Sequence, residues 1–214
     1  MSYTFREGVH AVRSGGQIIV FDERANRYLG LTRRQELALL SATKATPPDA
    51  EVIAPLLRRD LLISAPRFSA DLSPAHPPPK ASLIEDNDPE AASLRDIVGA
   101  MAAFCVARRT IAEHRLSGVL DQQRRAPNAR PAQTPAETLA RRFLTARLWA
   151  PWTPVCLLDS VAMLQFLRQA GHVAQLVIGV RTSPFEAHCW VERRGVALNE
   201  TLLRARSFTP IVVA

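Results

Sequence analysis

The sequence has few of the features that define several protein classes. Its 214 residues include three cysteines, at positions 105, 156 and 189. An odd number of cysteines without tight spacing argues against a disulfide framework and is typical of a reducing cytoplasm. No stretch approaches the roughly 20 apolar residues that a membrane-spanning helix needs, and the first twenty residues lack the apolar core of a secretory signal. We therefore expect a cytoplasmic protein that does not insert into a membrane.

Nucleotide, metal and nucleic-acid sites are also disfavoured. The chain has no glycine-rich phosphate loop. Cys156, His188 and Cys189 lack zinc-ligand spacing, because the last two are adjacent in a predicted strand and point apart. The net charge of +7 would suit nucleic acid, but residues 1–64 carry nine Lys or Arg against seven Asp or Glu. We expect no metal, no cofactor and no nucleic-acid partner.

The composition divides the chain into two packed parts. Hydrophobic residues make up 47% of the sequence, which is enough to build a core. Five prolines fall within residues 65–80, a composition typical of an extended spacer rather than a packed element. We predict an N-terminal module at residues 1–65, a proline-rich linker at 66–85 and a second domain at 86–214.

The N-terminal part has the pattern of a small winged-helix module. Residues 5–14 and 17–22 are predicted strands joined at Gly15 and Gly16, and residues 27–31 form a third. Thr32 and Gln35 have the spacing of a helix capping box. A second helix follows Asp49 and is interrupted near Pro55.

One cysteine lies at the start of a predicted buried helix. Thr153 is the expected N-cap and Pro154 the first helical residue, which places Cys156 near the third position. Free backbone N–H groups and the helix dipole favour a thiolate there, and the same N–H groups can donate to an oxyanion. The alternative is an inert core cysteine, since free cysteine is among the most buried residue types.

A predicted hairpin then brings a histidine and a carboxylate together. Residues 173–181 form an apolar strand, and a turn leads to a strand containing His188. If residues 193–195 form a three-residue loop, His188 lies opposite Glu200, with their Cβ atoms about 5 Å apart. The same register pairs Glu192 with Val196 and Trp190 with Leu198. A slip of one residue would put the histidine and the carboxylate on opposite faces.

A thiol, an imidazole and a carboxylate in this order are the parts of a cysteine hydrolase. An imidazole is needed to take the proton of the thiol and to return it to the leaving amine, and the third group orients the ring. Cys156 is thus the expected nucleophile, His188 the general base and acid, and Glu200 the orienting carboxylate. Asn199 is a less suitable orienting group because its parity places it on the other face.

The segments PVCLLDSVAMLQFLRQAGHVAQLVIGV and PFEAHCWVE resemble the peptidase part of the lasso-peptide maturation B proteins. The resemblance implies a transglutaminase-like or papain-like cysteine protease domain with a helical lobe and an antiparallel sheet, within an α+β protein. The catalytic positions of this family fall on Cys156, His188 and Glu200, with Glu in place of the usual Asp. Cys189 stands where we expect a small residue, and we predict that it packs.

The N-terminal module resembles the PqqD-like element that recognises the leader of a ribosomal precursor peptide. This implies that the leader adds a strand along five residues, namely Arg27, Tyr28, Leu29, Gly30 and Leu31. The family resemblance further implies cleavage at the leader–core junction and a partner cyclase resembling asparagine synthetase. Two alternatives stay open: an acyltransferase or transglutaminase that uses the same three residues, and a peptide-binding adaptor without catalytic activity.

Overall fold

A computed structural model describes residues 2–42, 48–65, 71–86, 89–125 and 131–214 and shows a mixed α/β fold, as predicted. The N-terminal elements are β1 (Ser2–Phe5), β2 (Val9–Ser14), β3 (Gln17–Asp22), β4 (Arg27–Gly30), α1 (Arg33–Ala42), α2 (Ala50–Arg58) and β5 (Leu62–Ala65). The remaining elements are β6 (Ala81–Ser82), α3 (Leu94–Arg124), α4 (Ala136–Arg147), α5 (Cys156–Gln169), β7 (Gln175–Thr182), β8 (Phe185–Arg193), β9 (Val196–Ala197), α6 (Leu202–Arg206) and β10 (Thr209–Val213).

The N-terminal strands form two small antiparallel sheets. β2, β3 and β4 pair in that order, and β1 pairs with β5. Residues 5–14 were expected to form one strand, but the chain bends after β1 at Gly8, whose φ of +77° is left-handed. The capping box of α1 is confirmed, because the N–H groups of Thr32 and Gln35 donate to each other's side chains at 3.0 and 3.3 Å. α2 continues through Pro55 without the predicted interruption, and residues 62–65 form a strand.

The C-terminal part is built on a five-stranded sheet in the order β10–β7–β8–β9–β6. One face packs against α3, α4 and α5 and forms the main core. The opposite face carries a smaller cluster of buried side chains, namely Val177, Trp190, Ala197, Ala205 and Phe208. The helical backbone of α3 is interrupted at Arg115, where φ is 54° and ψ is −168°.

The proline-rich segment packs on the protein, unlike the spacer expected from its composition. His76 Nε2 lies 2.8 Å from Oε1 of the buried Glu192. β6 pairs in parallel with β9, and Leu83 is buried. Prolines lack the N–H group that a sheet interior requires, so the other residues of this segment hold it on the sheet. Residues 66–70 of the predicted linker lie outside the described residues, and the domain boundaries stay a prediction.

The three-stranded sheet lies between its own helices and the C-terminal part. One face packs against α1 and α2, and the other contributes Val12, Ile19 and Phe21 to the main core. Ser14 Oγ donates to the carbonyl oxygen of Val180 at 3.2 Å. The guanidinium of Arg124 pairs with the buried Glu23 at 2.5 Å. In the described ranges, no helix combines the length and apolar character needed to cross a membrane.

Candidate active site

Cys156 is the first residue of α5, whereas we predicted it near the third position. The helix therefore begins two residues later than predicted. The N-cap is Val155, which has an extended conformation, and not Thr153. The Val155 N–H donates to Oδ2 of Asp159 at 2.9 Å, and the other oxygen of this carboxylate accepts from Arg147. Asp159 therefore caps the helix from its first turn. The cysteine lies where the N–H groups of the first turn have no helical partner and favour negative charge.

The hairpin after β8 has a two-residue turn, so the predicted three-residue loop is wrong. Arg194 and Gly195 have φ values of 51° and 80°, as a type I′ turn requires. Glu192 therefore lies opposite Ala197 rather than Val196. The predicted strand pairings of Trp190 with Leu198 and of His188 with Glu200 do not form, because β9 ends at Ala197. The sequence Arg193-Arg194-Gly195 is compatible with a two-residue or a three-residue turn. The left-handed conformations of Arg194 and Gly195 are those of the two-residue turn.

Glu200 nevertheless contacts His188, because the chain leaves the sheet after β9. The Leu198 N–H still donates to the Val191 carbonyl oxygen at 2.8 Å, and beyond it a side chain replaces the strand: Asn199 Oδ1 accepts from the Val191 N–H at 2.7 Å. Asn199 Nδ2 donates to Ser160 Oγ at 3.0 Å. This departure brings Glu200 to the imidazole although the register of the hairpin differs from the predicted one.

His188 and Glu200 form a close, largely buried pair. His188 Nε2 lies 2.6 Å from Glu200 Oε2, and the side chains are 10% and 15% exposed. The second carboxylate oxygen accepts from the Thr201 N–H at 2.8 Å. Burial opposes ionisation, but the hydrogen bond from His188 and that of Thr201 lower the pKa of Glu200. An ionised carboxylate thus holds the Nε2 side of the ring and leaves Nδ1 free for another contact.

The thiol of Cys156 ionises more readily than a free thiol. Hydrogen bonding with the Cys189 thiol, and then with the ring of His188, lowers the pKa of Cys156 to about 4, and the Cys189 N–H also contributes. Burial alone would lower the pKa of His188, but its bonds to Cys156 and Glu200 raise it to about 9. Between these values the pair exists as thiolate and imidazolium, the reactive form of a cysteine hydrolase.

Cys189 lies on the face predicted for it, but it also contacts the sulfur of Cys156. Its side chain is 5% exposed and belongs to the main core, as expected. The hydrogen bond to Cys156, together with burial, raises the pKa of Cys189 well above the ordinary value. Cys189 therefore stays a protonated donor to the Cys156 thiolate. No sequence pattern indicated this interaction, because Cys156 and Cys189 come together only through the packing of α5 against β8.

Aromatic side chains hold the imidazole from the side opposite α5. The ring of Phe208 lies 5.2 Å from that of His188, and the ring of Trp190 lies 6.4 Å away. Gly179, opposite His188 on β7, makes room for both rings. A Cβ there would lie 2.7 Å from Cβ of Phe208 and 3.1 Å from the ring of Trp190. Phe208 belongs to the C-terminal segment with α6 and β10, which we did not predict, although the apolar residues 210–213 are typical of a strand.

The five residues predicted to bind a leader lie on or beside an edge strand. β4 is the last strand of its sheet, and Leu31 N–H donates to Ile18 O at 3.1 Å. Alternation along β4 then turns the main-chain groups of Tyr28 and Gly30 toward the open edge. Arg27 is exposed, whereas Leu29 packs against the module's own core. Among the described residues, no three His, Cys, Asp or Glu side chains are grouped so as to hold a metal ion.

Comparison with known proteins gives two matches. The sequence profile of the transglutaminase-like superfamily matches residues 98–213, which include α5, β7, β8 and the three residues of the site. The chain is also similar to the microcin J25-processing protein McjB of Escherichia coli, with 47% identity over 45 residues. This second match spans 21% of the chain and 22% of that relative. No solved structure matches the chain.

Proposed function

Because this chain belongs to the transglutaminase-like superfamily, we propose that it is a cysteine peptidase that releases a lasso-peptide core from its leader. The observation that carries the proposal is the pair of His188 and Glu200, 2.6 Å apart, together with a Cys156 thiol whose pKa Cys189 and His188 lower to about 4. The local similarity to a protein named for processing microcin J25 supports this substrate class. The reaction would take place in the cytoplasm, before a partner cyclase closes the macrolactam ring.

The three residues divide the reaction in the usual way for a thiol peptidase. The thiolate of Cys156 attacks the carbonyl carbon of the leader–core bond, and the imidazolium of His188 protonates the leaving amine of the core. The leader then remains as a thioester on Cys156. His188, now neutral, takes a proton from water, and the resulting hydroxide releases the leader acid and the thiolate. Glu200 stays ionised throughout and holds the ring.

The leader would bind along the edge of β4. Main-chain groups of Tyr28 and Gly30 point outward there, and an added strand would pair with them. Of the other three predicted residues, Arg27 is exposed beside this edge, whereas the side chains of Leu29 and Leu31 pack in the module's own core. Hydrogen bonds of Ser14 with Val180 and Thr182 join β2 to the end of β7 and would keep this edge close to the peptidase part.

A second candidate function uses the same site with a different acceptor. If an amine instead of water reaches the thioester, the protein is an acyltransferase or transglutaminase. The superfamily match is compatible with this reaction. The thiolate–imidazolium pair that we describe argues against a third candidate, a peptide-binding adaptor without catalytic activity.

The experiment is mass spectrometry of a precursor peptide taken from the genomic neighbourhood of this gene, incubated with the protein and its partner cyclase. Wild type should yield free leader with a carboxyl terminus, whereas Cys156→Ser and His188→Ala should yield none. A leader joined to an added amine would support the acyltransferase instead. Cleavage by Cys156→Ser at the wild-type rate would refute both enzymatic proposals.

A further inference from the structure

Tyr28 belongs both to the edge strand of the N-terminal module and to the surface of the peptidase part. Its ring stacks on Phe21 at 4.5 Å within the module. On its other side it lies 5.6 Å from the ring of Phe185, at the start of β8 and three residues before His188. The ring packs against the main core of the C-terminal part, while its main chain faces the open edge of β4.

The surface next to the Tyr28 ring leads to the thiol. One face of β8, the face on which α5 packs, carries every second residue of the strand, namely Phe185, Ala187 and Cys189. Ala187, in the middle of this row, is half-buried and packs against the main core. Phe185 is 51% exposed, so the row is open to solvent at its outer end. Burial and then the nearby sulfurs of Cys189 and Cys156 raise the pKa of the Tyr28 phenol well above the ordinary value.

We infer that Tyr28 is a substrate-positioning residue of the peptidase site, one that the N-terminal module supplies in cis. This inference rests on the proposed function. The ring and Phe185 form an aromatic wall between the strand that receives the leader and the thiol that cuts it. The substrate it fits is an extended peptide whose leader pairs with β4 and whose next residues cross this wall before reaching Cys156.

A fixed wall at this point matters because strand pairing alone aligns a peptide poorly. Each residue of an extended chain advances about 3.3 Å, and a slip of one residue turns every side chain to the opposite face. A ring that contacts the peptide between its docking edge and the scissile bond selects one register. A misplacement of about 1 Å at the reacting atoms can cost about a hundredfold in rate.

Docking of the module does not depend on Tyr28 alone. The Ser14 hydroxyl bonds to Val180 and to Thr209, at 3.2 and 3.0 Å. The Arg124–Glu23 ion pair joins the module to α3. Removal of the ring should therefore leave the module in place and disturb only the wall.

The test uses the full-length protein and compares Tyr28→Ala, Tyr28→Phe and a control, Arg24→Ala, whose side chain is exposed in the turn after β3. Three quantities are measured: the Kd of a fluorescent synthetic leader peptide, kcat for the precursor, and the masses of the products. For Tyr28→Ala we expect leader Kd within about twofold of wild type, kcat lower by about ten- to a hundredfold, and cleavage at more than one bond. Tyr28→Phe and Arg24→Ala should resemble wild type.

The rate of Cys156 alkylation by iodoacetamide and the Tm serve as folding controls. A Tyr28→Ala variant that cuts one bond at the wild-type rate would overturn the inference. The inference would also fail if Tyr28→Ala lowered kcat together with a large decrease in Tm and in the alkylation rate, and if Tyr28→Phe did not restore kcat. Absence of cleavage by the wild type itself would instead count against the proposed function.

Discussion

Replacing Glu200 by Gln should lower the pKa of His188 and leave that of Cys156 unchanged. The substitution preserves the size of the side chain and removes the charge 2.6 Å from His188 Nε2. A hydrogen bond to a charged group contributes about 1.5–3 kcal/mol, and one pKa unit corresponds to about 1.4 kcal/mol. The pKa of His188, about 9 in the wild type, should therefore fall by about one to two units. Cys156 titrates near 4, where His188 stays protonated in both proteins, so its transition should not move.

The assay is NMR titration of the imidazole signals, assigned with a His188→Gln variant, together with thiolate absorbance at 240 nm. Glu186→Gln is the matched control, because Glu186 lies on the same strand but pairs with Arg181 and Arg204. We expect this control to change the pKa of His188 by only a few tenths of a unit, since surface charges are screened. A Glu200→Gln protein in which His188 still titrates at the wild-type pH would refute the orienting role of Glu200.

Three further predictions concern the surroundings of the site and the module interface. Cys189→Ala removes a hydrogen bond to the Cys156 thiolate, so absorbance at 240 nm should show the pKa of Cys156 rising by about one unit; an unchanged transition would show that Cys189 only packs. Gly179→Ala forces a Cβ to within 2.7 Å of Phe208 Cβ, and urea unfolding should show a loss of about 1–3 kcal/mol, whereas no loss would mean that the aromatic cluster yields freely. Burial opposes ionisation of Glu23, but His10 and Arg124 lower its pKa from 4.5 to about 2; its contribution to the free energy of unfolding is therefore complete above pH 4.5 and lost as the pH falls toward 2. Glu23→Gln should flatten that part of the pH–stability curve, and an unaltered curve would contradict the interface ion pair.

Periodicity and capping signals predicted the elements that carry the site. The apolar run after Pro154 predicted α5, and the alternation around His188 predicted β8. These signals are local, because a helix or strand must turn its apolar side chains toward a core. The first residue of α5 was not predictable in this way, since its cap comes from Asp159, which Arg147 of another helix holds in place.

The contact of His188 with Glu200 was predicted, but for a reason that the structure corrects. The expected loop was one residue too long, and the departure of the chain after β9 compensated for the error. That departure depends on Asn199 and Ser160, which meet only in the folded protein. The sequence pattern therefore predicted that His188 and Glu200 meet, but not the irregular backbone between them.

The packing of the proline-rich segment was beyond sequence pattern altogether. Its composition is typical of a spacer, but His76 finds a buried carboxylate in Glu192, 116 residues away. The same holds for Tyr28, whose neighbours Phe185 and Cys189 come from the other end of the chain. Contacts of this kind between remote segments leave no local period in a sequence.

The most direct test of the central claim is the pH dependence of Cys156 alkylation, followed by peptide mapping with the exposed Cys105 as an internal reference. If Cys156 and His188 form a thiolate–imidazolium pair, iodoacetamide should modify Cys156 at nearly its full rate at pH 5, and His188→Ala should move the midpoint up toward that of a free thiol, about 8.5. A midpoint near 8.5 in the wild type, or one that His188→Ala leaves unchanged, would contradict the account.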